Sequence, residues 1–255
     1  MEQPIFTGVG VALLTLFDDH GEVDPKATAD HAATLVELGA RGVVVAGSTG
    51  EAATLSVKER IALLEAVRAA VPAGVPVIQG VGAPSARQAA ALTRDARGHG
   101  ADAALALCPA RTPDPRPYYQ AVAEAAGDLP LLAYHFPQTS PPGIPVELLG
   151  ELPVQGLKDS SGDPDRLLAE VSGYRGWLYV GSSALLALAG PLGCAGAILA
   201  LANAEPERCI AAFAGGAEAQ RELAGAHLAS KVDFPHGLKA LVAERFGTSR
   251  AARLG

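Results

Sequence analysis

The chain is poor in cysteine: Cys108, Cys194 and Cys209 are all it has in 255 residues. They lie far apart and form no C-x-x-C pair. That points away from a disulfide framework or a structural zinc site, and towards a reducing compartment. Dense runs of lysine or arginine are absent, and 20 basic against 27 acidic residues leave a net charge of −7. This balance argues against nucleic acid as the main partner. No apolar run approaches the ~20 residues of a membrane span. The richest stretch, 184–202, is broken by Gly190, Pro191, Gly193 and Gly196. The opening Met1-Glu2-Gln3-Pro4 has no basic region followed by an apolar stretch, so no signal peptide is read there. A Walker loop, a serine–histidine–aspartate order and a cluster of histidine and carboxylates spaced for a metal are missing too. The expectation is a soluble cytoplasmic protein that works without a metal or other cofactor.

What is present is a globular balance, 49% hydrophobic and 18% charged residues, arranged as short β-like runs alternating with helical segments. Residues 9–14 read as a strand. Asp24-Pro25 opens a helix to about Leu38, with Asp as N-cap and Pro in the first turn. Gly39 ends it, and 42–46 is the next strand. Ser56 caps a further helix, with Glu59 placed to complete a capping box. Strands follow at 75–79, 103–107, 131–134, 155–158, 178–181 and 197–199. Helices are read at 85–99 and around 118–126, after a proline-rich loop over 109–117. From about Ala204 the chain reads as helical, most clearly over 236–246. About eight βα repeats in this length fit an α/β chain folded as a closed (β/α)8 TIM barrel. Runs rich in Val, Leu and Ala suit parallel strands buried on both faces. A doubly wound open sheet is the rival, because pattern alone does not show closure. Residues 1–203 are assigned to the barrel and 204–255 to a C-terminal helical extension of the same domain.

Three of the strand-like runs end in side chains that can do chemistry. Val154-Gln155-Gly156-Leu157 delivers Lys158, Pro130-Leu131-Leu132-Ala133 delivers Tyr134, and Val43-Val44-Val45-Ala46 runs into Gly47-Ser48-Thr49-Gly50-Glu51. In a barrel of this kind the chemistry sits at the C-terminal strand ends. A lysine amine adds to a ketone, a phenol shuttles a proton, and hydroxyls and amides hold a carboxylate. Each residue also has a plainer reading. A lone strand-end lysine is usually a surface charge, and Tyr134 could be a core tyrosine with a backbone partner. Ser48 and Thr49 could only cap a helix, and Gly47 and Gly50 could serve turn geometry alone. The coincidence of all three strand ends favours the chemical reading. His135, next to Tyr134, should face the other way along a strand and is read as packing or support. Gly80-Val81-Gly82 reads as a tight turn, because Ser85 stands where a dinucleotide fingerprint needs its third glycine.

Gly47-Ser48-Thr49-Gly50-Glu51, Tyr134-His135-Phe136-Pro137, Gly156-Leu157-Lys158-Asp159-Ser160-Ser161-Gly162 and Gly196-Ala197-Ile198-Leu199 running to Ala202-Asn203 resemble the dihydrodipicolinate synthase / N-acetylneuraminate lyase family of class I pyruvate aldolases. The resemblance covers nearly the whole chain. It implies a (β/α)8 barrel with extra C-terminal helices and a lysine Schiff base that makes or breaks a bond beside a pyruvate unit. It further implies Lys158 as the Schiff-base lysine and Tyr134 as the proton shuttle. Ser48 and Thr49, with Gly47, would form the carboxylate site, and Gly181 and Ile198 would line the pocket.

Two departures narrow the expectation. The stretch after Tyr134 reads Pro137-Gln138-Thr139-Ser140, without the arginine that dihydrodipicolinate synthases use to grip a second carboxylate. After the fourth strand the chain reads Cys108-Pro109-Ala110-Arg111, without their tyrosine pair. Arg111 is taken as a candidate for a substrate carboxylate instead. Phe234-Pro235-His236-Gly237-Leu238-Lys239 looks closer to the 4-hydroxy-2-oxoglutarate and 2-keto-3-deoxy sugar acid aldolase branch. The expected activity is therefore a lyase that joins or releases pyruvate and an aldehyde, acting on a 4-hydroxy-2-oxo acid or a 2-keto-3-deoxy sugar acid. A 4-hydroxy-tetrahydrodipicolinate synthase and a catalytically silent 2-oxo-acid binder are the alternatives. A homo-oligomer, dimer or tetramer, is expected.

Overall fold

The structure, a computed structural model, describes residues 3–254. Eight parallel strands follow one another round a closed barrel: β1 (Gly8–Ala12), β2 (Val43–Val45), β3 (Val77–Gly80), β4 (Ala103–Leu107), β5 (Leu131–His135), β6 (Gly156–Asp159), β7 (Trp177–Val180) and β8 (Gly196–Leu199). Strand β8 pairs back onto β1, from Gly8 with Gly196 to Val11 with Leu199, so the sheet has no edge and the open-sheet rival is ruled out. Outside the strands lie α1 (Pro25–Glu37), α2 (Val57–Ala70), α3 (Ala86–Gly98), α4 (Arg116–Ala126), α5 (Pro164–Gly173), α6 (Leu186–Ala189) and α7 (Pro206–Phe213). Two further helices, α8 (Ala217–Lys231) and α9 (His236–Phe246), follow; α8 packs on α7 and α9 on α8. After β5 a 3-10 segment, Val146–Glu151, stands in place of a full helix.

Local chemistry accounts for the helix starts. The Asp24 carboxylate accepts the Ala27 N–H at 2.8 Å, and Pro25 occupies a first-turn position that needs no donor. Ser56 and Glu59 cap α2 reciprocally: the Ser56 N–H donates to Glu59 at 2.7 Å, and the Glu59 N–H donates to the Ser56 hydroxyl at 3.3 Å.

Side chains alternate across each strand and sort into two cores. Val43, Val45, Leu131, Ala133, Leu157, Ala197 and Leu199 pack outward against the helices. Val44, Leu132, Tyr134, Tyr179 and Ile198 point into the barrel with Phe6. Phe6 plugs the N-terminal end. The Tyr179 hydroxyl donates to its carbonyl at 2.8 Å, and the two rings lie 4.8 Å apart. A Cβ on Gly10 or Gly42 would press on the Phe6 ring at 2.7 Å, so both glycines are set by this plug. Gly80 is explained the same way, since a side chain there would collide with the Ala46 carbonyl. With its floor filled, the barrel is left with the C-terminal mouth as the place for chemistry.

Candidate active site

Tyr134 and Lys158 are register partners on β5 and β6, so their side chains emerge side by side into the barrel. The Lys158 amine sits 4.3 Å from the centre of the Tyr134 ring. The lysine is only 4% exposed, and burial pulls its pKa from 10.5 down to about 7. The adjacent carboxylate does not restore the charge. Asp159 faces the other side of the strand, where it pairs with Arg166 at 2.5 Å. A large fraction of Lys158 is therefore a free amine near neutrality, able to add to a carbonyl.

The Tyr134 hydroxyl hydrogen-bonds to the hydroxyls of Ser48 and Ser160, and burial pushes its pKa up to about 12. A phenol held this far above neutrality stays protonated. It can carry a proton only as a relay, accepting one while passing its own to a neighbour. The two serines are placed for that exchange. Phe136, two residues on, stacks on the Tyr134 ring at 5.9 Å and screens it. Ser160 is a residue that the reading of the sequence missed. Its signal was the two-residue spacing from Lys158, which puts both on one face. Its hydroxyl occupies the space a Cβ on Gly181 would need, so Gly181 admits Ser160 rather than merely lining a pocket.

Residues 47–51 form a tight turn at the end of β2. The Glu51 N–H donates to the Ser48 carbonyl and the Ala52 N–H to the Gly47 carbonyl, both at 3.2 Å. The Thr15 hydroxyl at the end of β1 ties down the Gly50 carbonyl at 2.7 Å. Thr49 is buried, and Ser48 is half-buried beside Tyr134. Among the described residues, neither the Ser48 nor the Thr49 backbone N–H donates to a protein acceptor. Backbone amides left without a protein acceptor, next to hydroxyls, are the kind of groups that can hold an anion such as a carboxylate.

The remaining candidates separate. Ile198 is fully buried inside the barrel. Arg111 lies beyond β4 in a left-handed turn (φ 61), exposed, with its N–H on the Pro141 carbonyl at 2.7 Å. Among the described residues no ion pair or hydrogen bond joins its side chain to Lys158, Tyr134 or Ser48. The segment after Tyr134 folds over the strand ends. Ser140 donates to the Cys108 carbonyl and Gln138 to the Ser161 carbonyl, each at 2.6 Å. His135 faces outward as expected. Its Nδ1 accepts the Ile144 N–H at 2.8 Å, and burial lowers its pKa to about 4. It is a support for the backbone rather than a base in the mouth.

A buried amine and a relayed phenol in the mouth of a (β/α)8 barrel are the tools of carbonyl chemistry, and comparison with known proteins agrees. Residues 5–241 match the model of the dihydrodipicolinate synthetase family, and the chain belongs to that family. A protein named as an uncharacterised DapA-like lyase of Halobacterium salinarum is 35% identical over 241 residues, 91% of this chain and 79% of the relative. A protein named 4-hydroxy-tetrahydrodipicolinate synthase, from Natronomonas pharaonis, is 37% identical over 222 residues, 83% of this chain and 75% of the relative. Among solved structures, dihydrodipicolinate synthase of Cyanidioschyzon merolae with lysine bound superposes with a TM-score of 0.88 at 27% identity, covering 95% of this chain and 89% of that one. The chain is accordingly an enzyme, a lyase of the pyruvate aldolase type.

Proposed function

We propose that this enzyme is a Schiff-base aldolase acting on 4-hydroxy-2-oxo acids or 2-keto-3-deoxy sugar acids, with Lys158 as the imine-forming residue. The observation that carries the proposal is the Lys158 amine: buried in the barrel mouth, with no carboxylate partner among the described residues, and with its pKa pulled down to about 7. In the cleavage direction the amine adds to the substrate ketone, water leaves, and one proton taken up from solvent gives a protonated imine. The C3–C4 bond then breaks as the C4 hydroxyl gives its proton to Tyr134, which passes its own to the Ser48 or Ser160 hydroxyl as that serine releases its proton to water. The bond electrons move into the imine, giving an enamine, and the aldehyde departs. Protonation at C3 and hydrolysis release pyruvate and restore the amine. Ser48 and Thr49, with Gly47 allowing the turn, hold the substrate carboxylate, while Gly181 and Ile198 shape the space around the imine.

The substrate class follows from what surrounds Tyr134. A second carboxylate or an amino-acid head group calls for a fixed cation, best supplied by a bidentate arginine. The segment after Tyr134 offers only Gln138, Thr139 and Ser140, and the Gln138 amide is already engaged with Ser161. Arg111, in the loop after β4, is the candidate for such a cation. A 4-hydroxy-tetrahydrodipicolinate synthase is the second reading, favoured by the name of the Natronomonas relative. Cytoplasmic, homo-oligomeric work on these small molecules is part of the proposal by family likeness.

A panel of 2-oxo acids assayed for pyruvate release separates the readings. The proposal expects release from 4-hydroxy-2-oxo acids and slow condensation of pyruvate with aspartate semialdehyde. Efficient condensation with the semialdehyde would establish the second reading, and Arg111→Ala should then abolish it. No turnover with any member of the panel would mark a silent binder.

A further inference from the structure

Glu51 closes the turn that carries Ser48 and Thr49, yet its carboxylate is engaged elsewhere. One oxygen lies 2.6 Å from the Lys239 ammonium of α9, and both side chains are fully buried. The other oxygen accepts the backbone N–H groups of Arg253 and Leu254 at 2.7 and 2.8 Å. Lys239 also donates to the Ala251 carbonyl and lies 4.4 Å over the Phe17 ring. The Arg253 guanidinium covers the same ring at 4.9 Å. It donates to the Gly21 carbonyl at 2.6 Å and the Thr54 carbonyl at 3.2 Å, and pairs with Glu59 at 2.7 Å. The segment after α9 thus ties the β1–α1 loop to the β2–α2 loop and both to α9. Glu51 itself holds a left-handed backbone conformation (φ 55), which a residue with a side chain keeps only when its surroundings impose it.

We propose that residues 249–254 are a strap that, through Glu51, positions the 47–51 turn for binding the substrate carboxylate. Glu51 is a positioning residue: it touches no substrate and acts through Ser48 and Thr49. The proposal rests on the reading of that turn as the carboxylate site. Two consequences distinguish it from a merely structural role. Loosening the strap should weaken binding of ketones that carry a carboxylate and spare ketones that do not. It should also leave the bond-breaking step at Lys158 and Tyr134 nearly intact once substrate is bound.

The test uses Arg253→Ala and a second variant ended after Thr248. Borohydride trapping at Lys158 is followed against the concentration of pyruvate and of hydroxyacetone, which has no carboxylate. Hydrogen exchange at the 47–51 amides is measured in parallel. Arg253→Ala should raise the half-saturating pyruvate concentration about tenfold. It should leave hydroxyacetone trapping and kcat within about twofold, and speed exchange at 47–51. Unchanged pyruvate dependence, or equal loss for both ketones, would overturn the strap. Failure of the wild type to trap either ketone would refute the imine reading, and equal half-saturating concentrations of pyruvate and hydroxyacetone would refute the carboxylate reading; in both cases exchange at 47–51 judges the strap alone, and no acceleration overturns it. If the shortened chain does not fold, Arg253→Ala decides the matter, because it leaves the Glu51–Lys239 pair in place.

Discussion

Lys158 concentrates a cost of folding in one side chain. Its pKa is depressed on folding, so the unfolded chain binds the extra proton between about pH 7 and the ordinary lysine value of 10.5. Burial of this amine therefore costs stability at neutral pH, and the cost fades as pH rises towards 10.5. Lys158→Met removes the cost, and it should raise the melting temperature at pH 7.5 by several degrees while abolishing imine formation. Thermal denaturation checks the first half, and an unchanged or lower melting temperature would contradict the burial argument. The same pKa sets the acid limb of imine formation. Trapping with pyruvate should fall as pH drops below about 7, where the amine becomes protonated.

Tyr134→Phe should keep the fold and the imine but slow turnover by ~10²–10⁴, the usual loss for a missing proton carrier. Ser160→Ala should slow it less, because the phenol keeps its hydrogen bond to Ser48. Steady-state kinetics on both variants orders the two effects, and a larger loss at Ser160 would shift the relay's centre away from the tyrosine.

At the scale of elements, the reverse side of β6 carries a second polar cluster. The Arg166 Nε–H lies between Asp159 at 2.5 Å and Glu170 at 2.8 Å, one cation shared by two buried carboxylates. Burial and the neighbouring Asp159 push Glu170 up to about 9. A raised carboxyl pKa contributes stability that is present below about pH 4.5 and lost as pH climbs through 9. Glu170→Gln mimics the protonated form. It should match the wild type near pH 4 and become progressively more stable than it towards pH 9. Urea denaturation across that range reads the crossover, and a constant difference would mean that Glu170 is ionised throughout.

What was legible in the sequence rests on local contacts. Asp24-Pro25 and the Ser56/Glu59 box announced their helices because capping is a local contact. Strand β4 and helix α9 were read with the bounds they have, since β4 is an unbroken apolar run and α9 lies between Pro235 and Gly247. The strand ends presented Lys158 and Tyr134 because period-two alternation is equally local. What stayed hidden depends on distant partners. Ser160 matters through a phenol on β5 and a glycine after β7. Glu51 meets Lys239 and Arg253 across some 190 to 200 residues, a pairing that no local pattern encodes.

For the molecule as a whole, the barrel separates stability at its floor from chemistry at its mouth. Phe6 closes the floor, locked by Tyr179 and by the glycines that make room for its ring. Phe6→Ala should open a cavity there and cost about 3–5 kcal/mol. Adduct formation at Lys158 should survive under conditions where the variant remains folded. Denaturant melts paired with trapping test this division, and loss of trapping in a folded Phe6→Ala protein would show that floor and mouth are coupled.

The central claim is that Lys158 forms a covalent imine with a 2-oxo acid. Borohydride reduction in the presence of pyruvate, followed by peptide mapping, tests it most directly. The account predicts one reduced pyruvate adduct on the peptide containing Lys158, and none in Lys158→Ala. An adduct on any other lysine, or an unmodified wild-type chain, would contradict it.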